Sequence, residues 1–280
     1  ATYQVMTKKK NGVYAHLDLF DSYDWGLIIY DEVHLLPAPI FRFTADIQSR
    51  RRLGLTATLV REDGMEGEVF SLIGPKRFDV PWKEIEAQGY IAPADCVEVR
   101  VTLTDHERLT YATAEQEEKY RSCATTATKK NVVIALAKQH ANDQTLIIGQ
   151  YINQIDEISA ELGVPIVKGD TPIRERESLF AAFRSGELKC LVVSKVANFS
   201  IDLPEASIAI QVSGTFGSRQ EEAQRLGRIL RPKSDGRSAR FYSVVARDTL
   251  DQDYAQNRQR FLAEQGYSYR IIDADEVTRS

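Results

Sequence analysis

The chain has 280 residues, of which 43% are hydrophobic and 27% charged, and its 36 Lys/Arg against 40 Asp/Glu leave a net charge of −4. That composition fits one large or two modest globular domains and excludes a disordered or fibrous chain. No run approaches the roughly 18 apolar residues of a membrane helix. The widely spaced Cys96, Cys123 and Cys190, with four His in the whole chain, make neither a disulfide framework nor a zinc pattern and suit a reducing compartment.

Short apolar runs alternate with longer helical stretches, which predicts an α/β protein with parallel sheets. Buried strands are expected at 26–30 and 52–55, then at 144–148, 190–194, 206–212 and 240–245, with 165–167 also strand-like. Helices are expected at 131–140, 152–162 and 173–185, the second stopping at Gly163. The window 104–131 is the most polar and reads as one or two exposed helices, with Glu115 to Lys119 a solvated face. Gly89 and Pro93 punctuate the end of a helical run, so a boundary is expected there, giving domains 1–92 and 93–280. The N-terminal Ala1 to Lys8 has no basic-then-apolar layout, so secretion is not expected. With a net negative charge, any nucleic-acid binding must come from local patches.

Four segments carry chemistry. In the first, Leu27-Ile28-Ile29-Tyr30 runs into Asp31-Glu32-Val33-His34, so two adjacent carboxylates stand at the carboxyl end of a strand, the edge where parallel sheets bind ligands. Such a pair suits nucleotide hydrolysis, Asp31 holding Mg²⁺ and Glu32 polarising the attacking water; the plainer alternative is a polar turn. In the second, Leu53-Gly54-Leu55 ends in Thr56-Ala57-Thr58, whose hydroxyls can relay a change between a phosphate site and a neighbouring surface; Arg61-Glu62-Asp63 follows. The third is Gln224-Arg225-Leu226-Gly227-Arg228-Ile229-Leu230-Arg231-Pro232, inside a stretch (217–240) with seven Lys/Arg against three acids. Arg228 and Arg231 share one face of a helix, as a transferring phosphoryl group requires of an opposing domain; the plainer alternative is a basic face for solubility or for contact with a nucleic-acid backbone, and the roles can coexist. The fourth comprises two loops after apolar strands, one with Lys168 and Thr171, the other with Ser194, Lys195, Asn198 and Asp202. Both can track a phosphodiester backbone through N–H groups, hydroxyls and a lysine.

Taken together, in this order and spacing, these segments resemble the motor core of superfamily two helicases. Asp31 to His34 match the DExH box, Thr56 to Thr58 the Thr-Ala-Thr motif, Ser194 to Leu203 the fifth motif, and Gln224 to Arg231 the sixth with its arginine fingers. The resemblance narrows to the XPB group of repair and transcription helicases, in a prokaryotic-looking form. It does so through Arg61-Glu62-Asp63, the uninterrupted sixth motif, and Arg258-Gln259-Arg260-Phe261-Leu262-Ala263-Glu264-Gln265-Gly266-Tyr267. It implies two RecA-like parallel-sheet domains, the first cut short at its N-terminus, and ATP-dependent DNA unwinding or translocation in the 3′–5′ direction. Asp31, His34, Gln224, Arg228 and Arg231 then serve ATP and Mg²⁺. DNA contacts fall to Arg61, Glu62, Asp63, Lys168, Thr171, Ser194 and Lys195, and coupling to Thr56, Thr58, Asn198 and Asp202. The resemblance further implies a thumb-like, DNA-gripping role for 104–131, a single-strand/duplex junction as substrate, and repair nucleases or transcription-repair proteins as partners. A prokaryotic cytoplasm is the expected compartment.

Two departures qualify this reading. No Gly-x-x-x-x-Gly-Lys-Ser/Thr occurs, and Gly74-Pro75-Lys76 lacks both the second glycine and the hydroxyl. Without that loop nothing cradles the β- and γ-phosphates. The chain is therefore expected to be the C-terminal part of a longer enzyme and, alone, a weak or inactive ATPase. Ala197-Asn198 also stands where the family usually has Gly-Asp. The competing readings are a non-catalytic DNA- or partner-binding fragment and a restriction- or remodelling-type translocase that moves on duplex without unwinding it.

Overall fold

The computed structural model describes residues 5, 8–10, 13–14, 16, 19–20, 22–33, 47, 49–56, 66–89, 94–194, 206–214, 239–264 and 266–278. The chain divides into two compact units, residues 1–79 and 80–280.

In the first unit, β1 (Lys9–Lys10) and β2 (Val13–Tyr14) pair antiparallel, while β3 (Ile28–Tyr30) and β4 (Arg52–Gly54) pair parallel with Ile29 opposite Leu53. Helix α1 (Glu66–Ile73) packs Val69, Leu72 and Ile73 onto Ile28, Tyr30 and Val33. Gly54 allows this approach, because a Cβ there would sit 3.2 Å from Val33 Cγ1 and 3.3 Å from Ile73 Cγ2. The expectation of buried strands at 26–30 and 52–55 needs correcting. Side chains alternate across a strand, and Leu27, Ile29, Leu53 and Leu55 are 43–55% exposed on the face away from α1.

The second unit begins earlier than the glycine and proline at 89–93 suggest. Helix α2 (Trp82–Ala87) belongs to it. Lys83 Nζ lies 5.1 Å above the Tyr267 ring, and Gly266 (φ +82°) brings the backbone so close that a Cβ would meet Lys83 Cγ at 2.9 Å. The strands are β5 (Ala94–Val101), β6 (Thr145–Gly149), β7 (Ile166–Val167), β8 (Cys190–Ser194), β9 (Ile208–Gln211), β10 (Ala239–Ala246) and β11 (Tyr269–Asp273). They form one seven-stranded parallel sheet in the order β11-β5-β10-β9-β6-β8-β7. From β6 the chain goes to β7 and β8 on one side, then crosses to β9 and β10 on the other. The carboxyl ends of β6 and β9 therefore flank the switch point where such sheets bind ligands.

The helices are α3 (Asp105–Thr113), α4 (Lys119–Ala124), α5 (Ala127–Gln139), α6 (Ile152–Leu162), α7 (Ile173–Ser185), α8 (Leu250–Glu264) and α9 (Ala274–Thr278). One face of the sheet buries Val97, Val99, Ile147, Val192, Ile210 and Val244 under α5, α6 and α9; the other buries Ile148, Leu191 and Val193 under α7 and Cys96 and Phe241 under α8. Each such side chain contributes about 1.5–3 kcal/mol by leaving water. Gly163 ends α6 in the left-handed conformation (φ +64°), as expected. Helix α5 starts four residues before the expected 131, because the Thr126 hydroxyl accepts the Lys129 N–H (3.3 Å) and caps it there.

Within 104–131 the solvated reading holds for α3, which buries no residue, and not for α4, where Tyr120, Cys123 and Ala124 are buried. Glu107 fixes α3 in place. Its carboxylate completes a capping box with Thr104 and also accepts the Thr128 N–H (2.9 Å) and hydroxyl (2.5 Å) at the start of α5. Burial pushes the Glu107 carboxyl up, but these bonds outweigh it and hold the group below its ordinary value of 4.5. Beneath α5 lies a fully buried ion pair, Lys129 Nζ to Asp251 Oδ2 at 2.6 Å, and the same oxygen accepts the Ala246 N–H at 3.0 Å.

Candidate nucleotide and nucleic-acid site

In the first unit the acid pair and the threonine come together at one sheet edge. Tyr30 O accepts the Leu55 N–H (2.9 Å) and Leu55 O accepts the Val33 N–H (3.0 Å), so Asp31 and Glu32 sit beside the strand end that leads to Thr56. Asp31 is exposed and accepts the Glu32 N–H at 3.0 Å. Glu32 has φ +48°, a left-handed conformation that costs a non-glycine residue energy and turns its side chain off the strand's alternation. Its Oε2 is shielded from solvent. His34, Thr58, Arg61, Glu62 and Asp63 lie outside the described residues.

In the second unit Ser194 ends β8 with a buried Oγ that has no hydrogen-bond partner among the described residues. Lys168 and Thr171 share one tight turn, in which Thr171 Oγ1 accepts the Lys168 N–H (2.8 Å). Arg176 Nη2 gathers the carbonyls of Lys168, Gly169 and Thr171 at 3.2–3.4 Å. Lys168 Nζ reaches Asp156 at 3.1 Å, so a phosphate there competes with a carboxylate. Lys195, Asn198, Asp202, Gln224, Arg228 and Arg231 lie outside the described residues.

Sequence reading missed the polar network at the β6/β9 switch point. The Ser213 hydroxyl accepts the Gln150 N–H (2.8 Å) and donates to Gln154 Oε1 (3.0 Å), while Gln154 Nε2 donates to Ala124 O (2.7 Å). Tyr120 Oη donates to Gly214 O (2.7 Å) and accepts the Gly214 N–H (3.2 Å). Burial lifts the Tyr120 hydroxyl well above its ordinary range, so it stays a donor. Gly149 is the one sequence hint: a Cβ there would strike Ile155 Cγ2 and lie 3.0 Å from Val212 Cγ1, so α6 can dock only on a glycine. On its outer side α4 contributes Arg121 to a polar cavity of about 230 Å³ that Lys130, Tyr151 and Asn153 also line. The Arg121 guanidinium stands 5.8 Å from the centre of the Tyr151 ring.

Residues 85–280 match the family described as ERCC3/RAD25/XPB C-terminal helicase. The chain belongs to that family. Named relatives agree. It is 73% identical over 277 residues to "DNA 3'-5' helicase XPB" of Kineococcus radiotolerans and 70% identical to the protein of that name in Mycobacterium tuberculosis. Each alignment covers 99% of this chain and 50% of the relative, so the chain spans about half the length of the curated relatives it matches. The Saccharomyces cerevisiae "General transcription and DNA repair factor IIH helicase/translocase subunit XPB/SSL2" is 36% identical, with 97% of this chain and 34% of the relative covered.

Among solved structures, the fold is similar to S. cerevisiae Dbp5 bound to RNA and ADP BeF3 (TM-score 0.61; 94% of this chain and 64% of that one) and to a fragment of a putative HsdR restriction subunit from Vibrio vulnificus (TM-score 0.66; 92% and 51%). At 16% identity these show the fold alone, and the fold is the RecA-like parallel α/β architecture that the motifs imply. Among the described residues no helix is long and apolar enough to cross a membrane.

Proposed function

We propose that the full-length protein is an ATP-dependent 3′–5′ DNA helicase or translocase working in repair or transcription. The observation that carries this reading is the placement of Asp31 and Glu32 beside the strand end leading to Thr56, at the carboxyl edge of two parallel strands, in a chain of the XPB family.

The chemistry follows from these groups. Glu32 orients and deprotonates the attacking water, and its shielded Oε2 keeps bulk solvent from competing for that proton. Among the described residues no three His, Cys, Asp or Glu cluster as a metal cage. The exposed Asp31 carboxylate is nevertheless a fitting single oxygen ligand for magnesium, which usually takes one or two carboxylates plus substrate phosphates. That ion neutralises phosphate charge when bound. Arg228 and Arg231 stabilise charge on the transferring phosphoryl group, and Gln224 and His34 complete the nucleotide contacts. Thr56, Thr58, Asn198 and Asp202 pass the nucleotide state to the DNA contacts. Those contacts are Arg61, Glu62 and Asp63 at a strand junction, Lys168, Thr171, Ser194 and Lys195 along the backbone, and the 104–131 segment as a grip. The same reading gives repair nucleases or transcription-repair proteins as partners and a prokaryotic cytoplasm as compartment.

DNA-stimulated ATPase activity of the full-length protein tests this. Glu32→Gln is expected to lower kcat about 10²–10⁴-fold, the usual worth of a general base, while ATP binding survives. Turnover that persists removes Glu32 from that role.

A second reading concerns the chain by itself, as a DNA- or partner-binding fragment that turns over little ATP. The absence of a phosphate loop in its sequence and the exposed apolar face of Leu27, Ile29, Leu53 and Leu55 favour it. ATPase assays on the 280-residue chain beside the full-length protein decide, and turnover by the chain alone overturns it.

A further inference from the structure

Helix α4 is fastened at both ends to the two residues that close the β9 edge. At its start Tyr120, 3% exposed, exchanges two hydrogen bonds with Gly214 across 94 positions of sequence. At its end Ala124 O accepts from Gln154, whose other amide atom accepts from Ser213. Each of these groups is buried, so leaving any of them without its partner is costly, and Gln154 also borders the polar cavity. The ring of Tyr120 is held as well, edge-on against Tyr254 at 5.1 Å and beside Tyr151 at 6.3 Å. Gly214 has no slack of its own. A Cβ there would lie 2.6 Å from Gln211 Nε2 and 3.1 Å from Arg258 Nη1. From Gly214 the chain runs directly into the stretch that contains Gln224, Arg228 and Arg231. On its other side, α4 turns Arg121 toward the polar cavity.

We propose that Tyr120 and Gln154 are positioning residues that fix the exit of the arginine-bearing segment to helix α4, so that a force on the 104–131 segment is felt at Ser213–Gly214. The inference rests on the functional reading above and adds a route by which DNA engagement reaches the arginines that reading assigns to ATP. In this role Tyr120 and Gln154 act through Gly214 and Ser213, to which they are hydrogen-bonded. A change in α4 is transmitted because both backbone polar groups of Gly214 are bonded to Tyr120 Oη, and a buried peptide group follows the group it is bonded to.

The test uses the full-length protein with Tyr120→Phe, which keeps the ring and deletes the hydroxyl, and Gln154→Met, which keeps the length and deletes both amide bonds. ATP turnover is measured with and without DNA, alongside DNA affinity by fluorescence anisotropy and the folded fraction by thermal melting. Both variants are expected to lose about tenfold in the ratio of DNA-stimulated to DNA-free kcat while DNA affinity stays within about twofold. If one variant does not fold, the other carries the same measurement. A purely structural role lowers both rates together and leaves the ratio unchanged, which overturns the proposal. So does a loss of stimulation that merely tracks a loss of DNA affinity. If the unsubstituted protein shows no stimulation, the functional reading falls and the coupling falls with it.

Discussion

Strand β3 with the residue before it and strand β6 are written with almost the same letters, Leu27-Ile28-Ile29-Tyr30 and Leu146-Ile147-Ile148-Gly149, yet they occupy opposite environments. Ile29 is 55% exposed and Leu27 48%, whereas Ile148 is 0% and Leu146 3%. The difference comes from what surrounds them. Strand β6 lies between β8 and β9 with helices on both faces, while β3 has one strand neighbour and α1 on one face among the described residues. An apolar run encodes a strand; the topology around it decides how many of its faces are buried.

The largest effect that sharpens this contrast is expected at Lys129. A sheet sealed on both faces can hold a fully buried ion pair, and Lys129→Ala leaves Asp251 charged in the interior, a cost of about 3–5 kcal/mol. Urea unfolding of the second unit measures it, and a loss below about 1 kcal/mol shows that water reaches the pair. Next come the matched truncations. Ile148→Ala is expected to destabilise by about 2–5 kcal/mol, whereas Ile29→Ala in this chain stays within about 0.5 kcal/mol. Equal losses break the comparison.

The smallest effect lies within the second unit, where exposed α3 hangs on the Glu107 carboxylate. Its folded pKa is depressed. Its stabilisation is therefore complete above the ordinary value of 4.5 and disappears as pH falls below that and through the folded pKa. Amide exchange followed from neutral pH to pH ~3 is expected to show α3 losing protection before the sheet. Simultaneous loss removes Glu107 from this role.

Most of the second sheet was readable because strands buried on both faces appear as unbroken apolar runs: β6, β8, β9 and β10 lie where expected. Strand β5 was not, because Asp95, Glu98 and Arg100 interrupt it. The charge at Glu98 is tolerated by a hydroxyl 171 positions away: Tyr269 Oη donates to Glu98 Oε2 at 2.6 Å and Arg100 Nε to Oε1 at 2.8 Å. No local pattern encodes such compensation. The site divides in the same way. Asp31, Glu32 and Thr56 follow from strand-end motifs and lie at one sheet edge. Tyr120, Gln154 and Ser213 act through partners 30 to 94 positions distant, and nothing in their neighbourhoods marks them. Arg176, which organises the Lys168–Thr171 turn, reads in sequence as one more charge on an amphipathic helix.

The placement of β5 also bears on how the chain is made. It is the first strand of its sheet to leave the ribosome, yet both of its neighbours, β10 and β11, are the last two. At about 5–20 residues per second it waits on the order of 10 s for a partner, while β6, β7, β8 and β9 can already assemble among themselves. The nascent protein thus carries an orphan strand with both edges open until β10 and β11 have emerged.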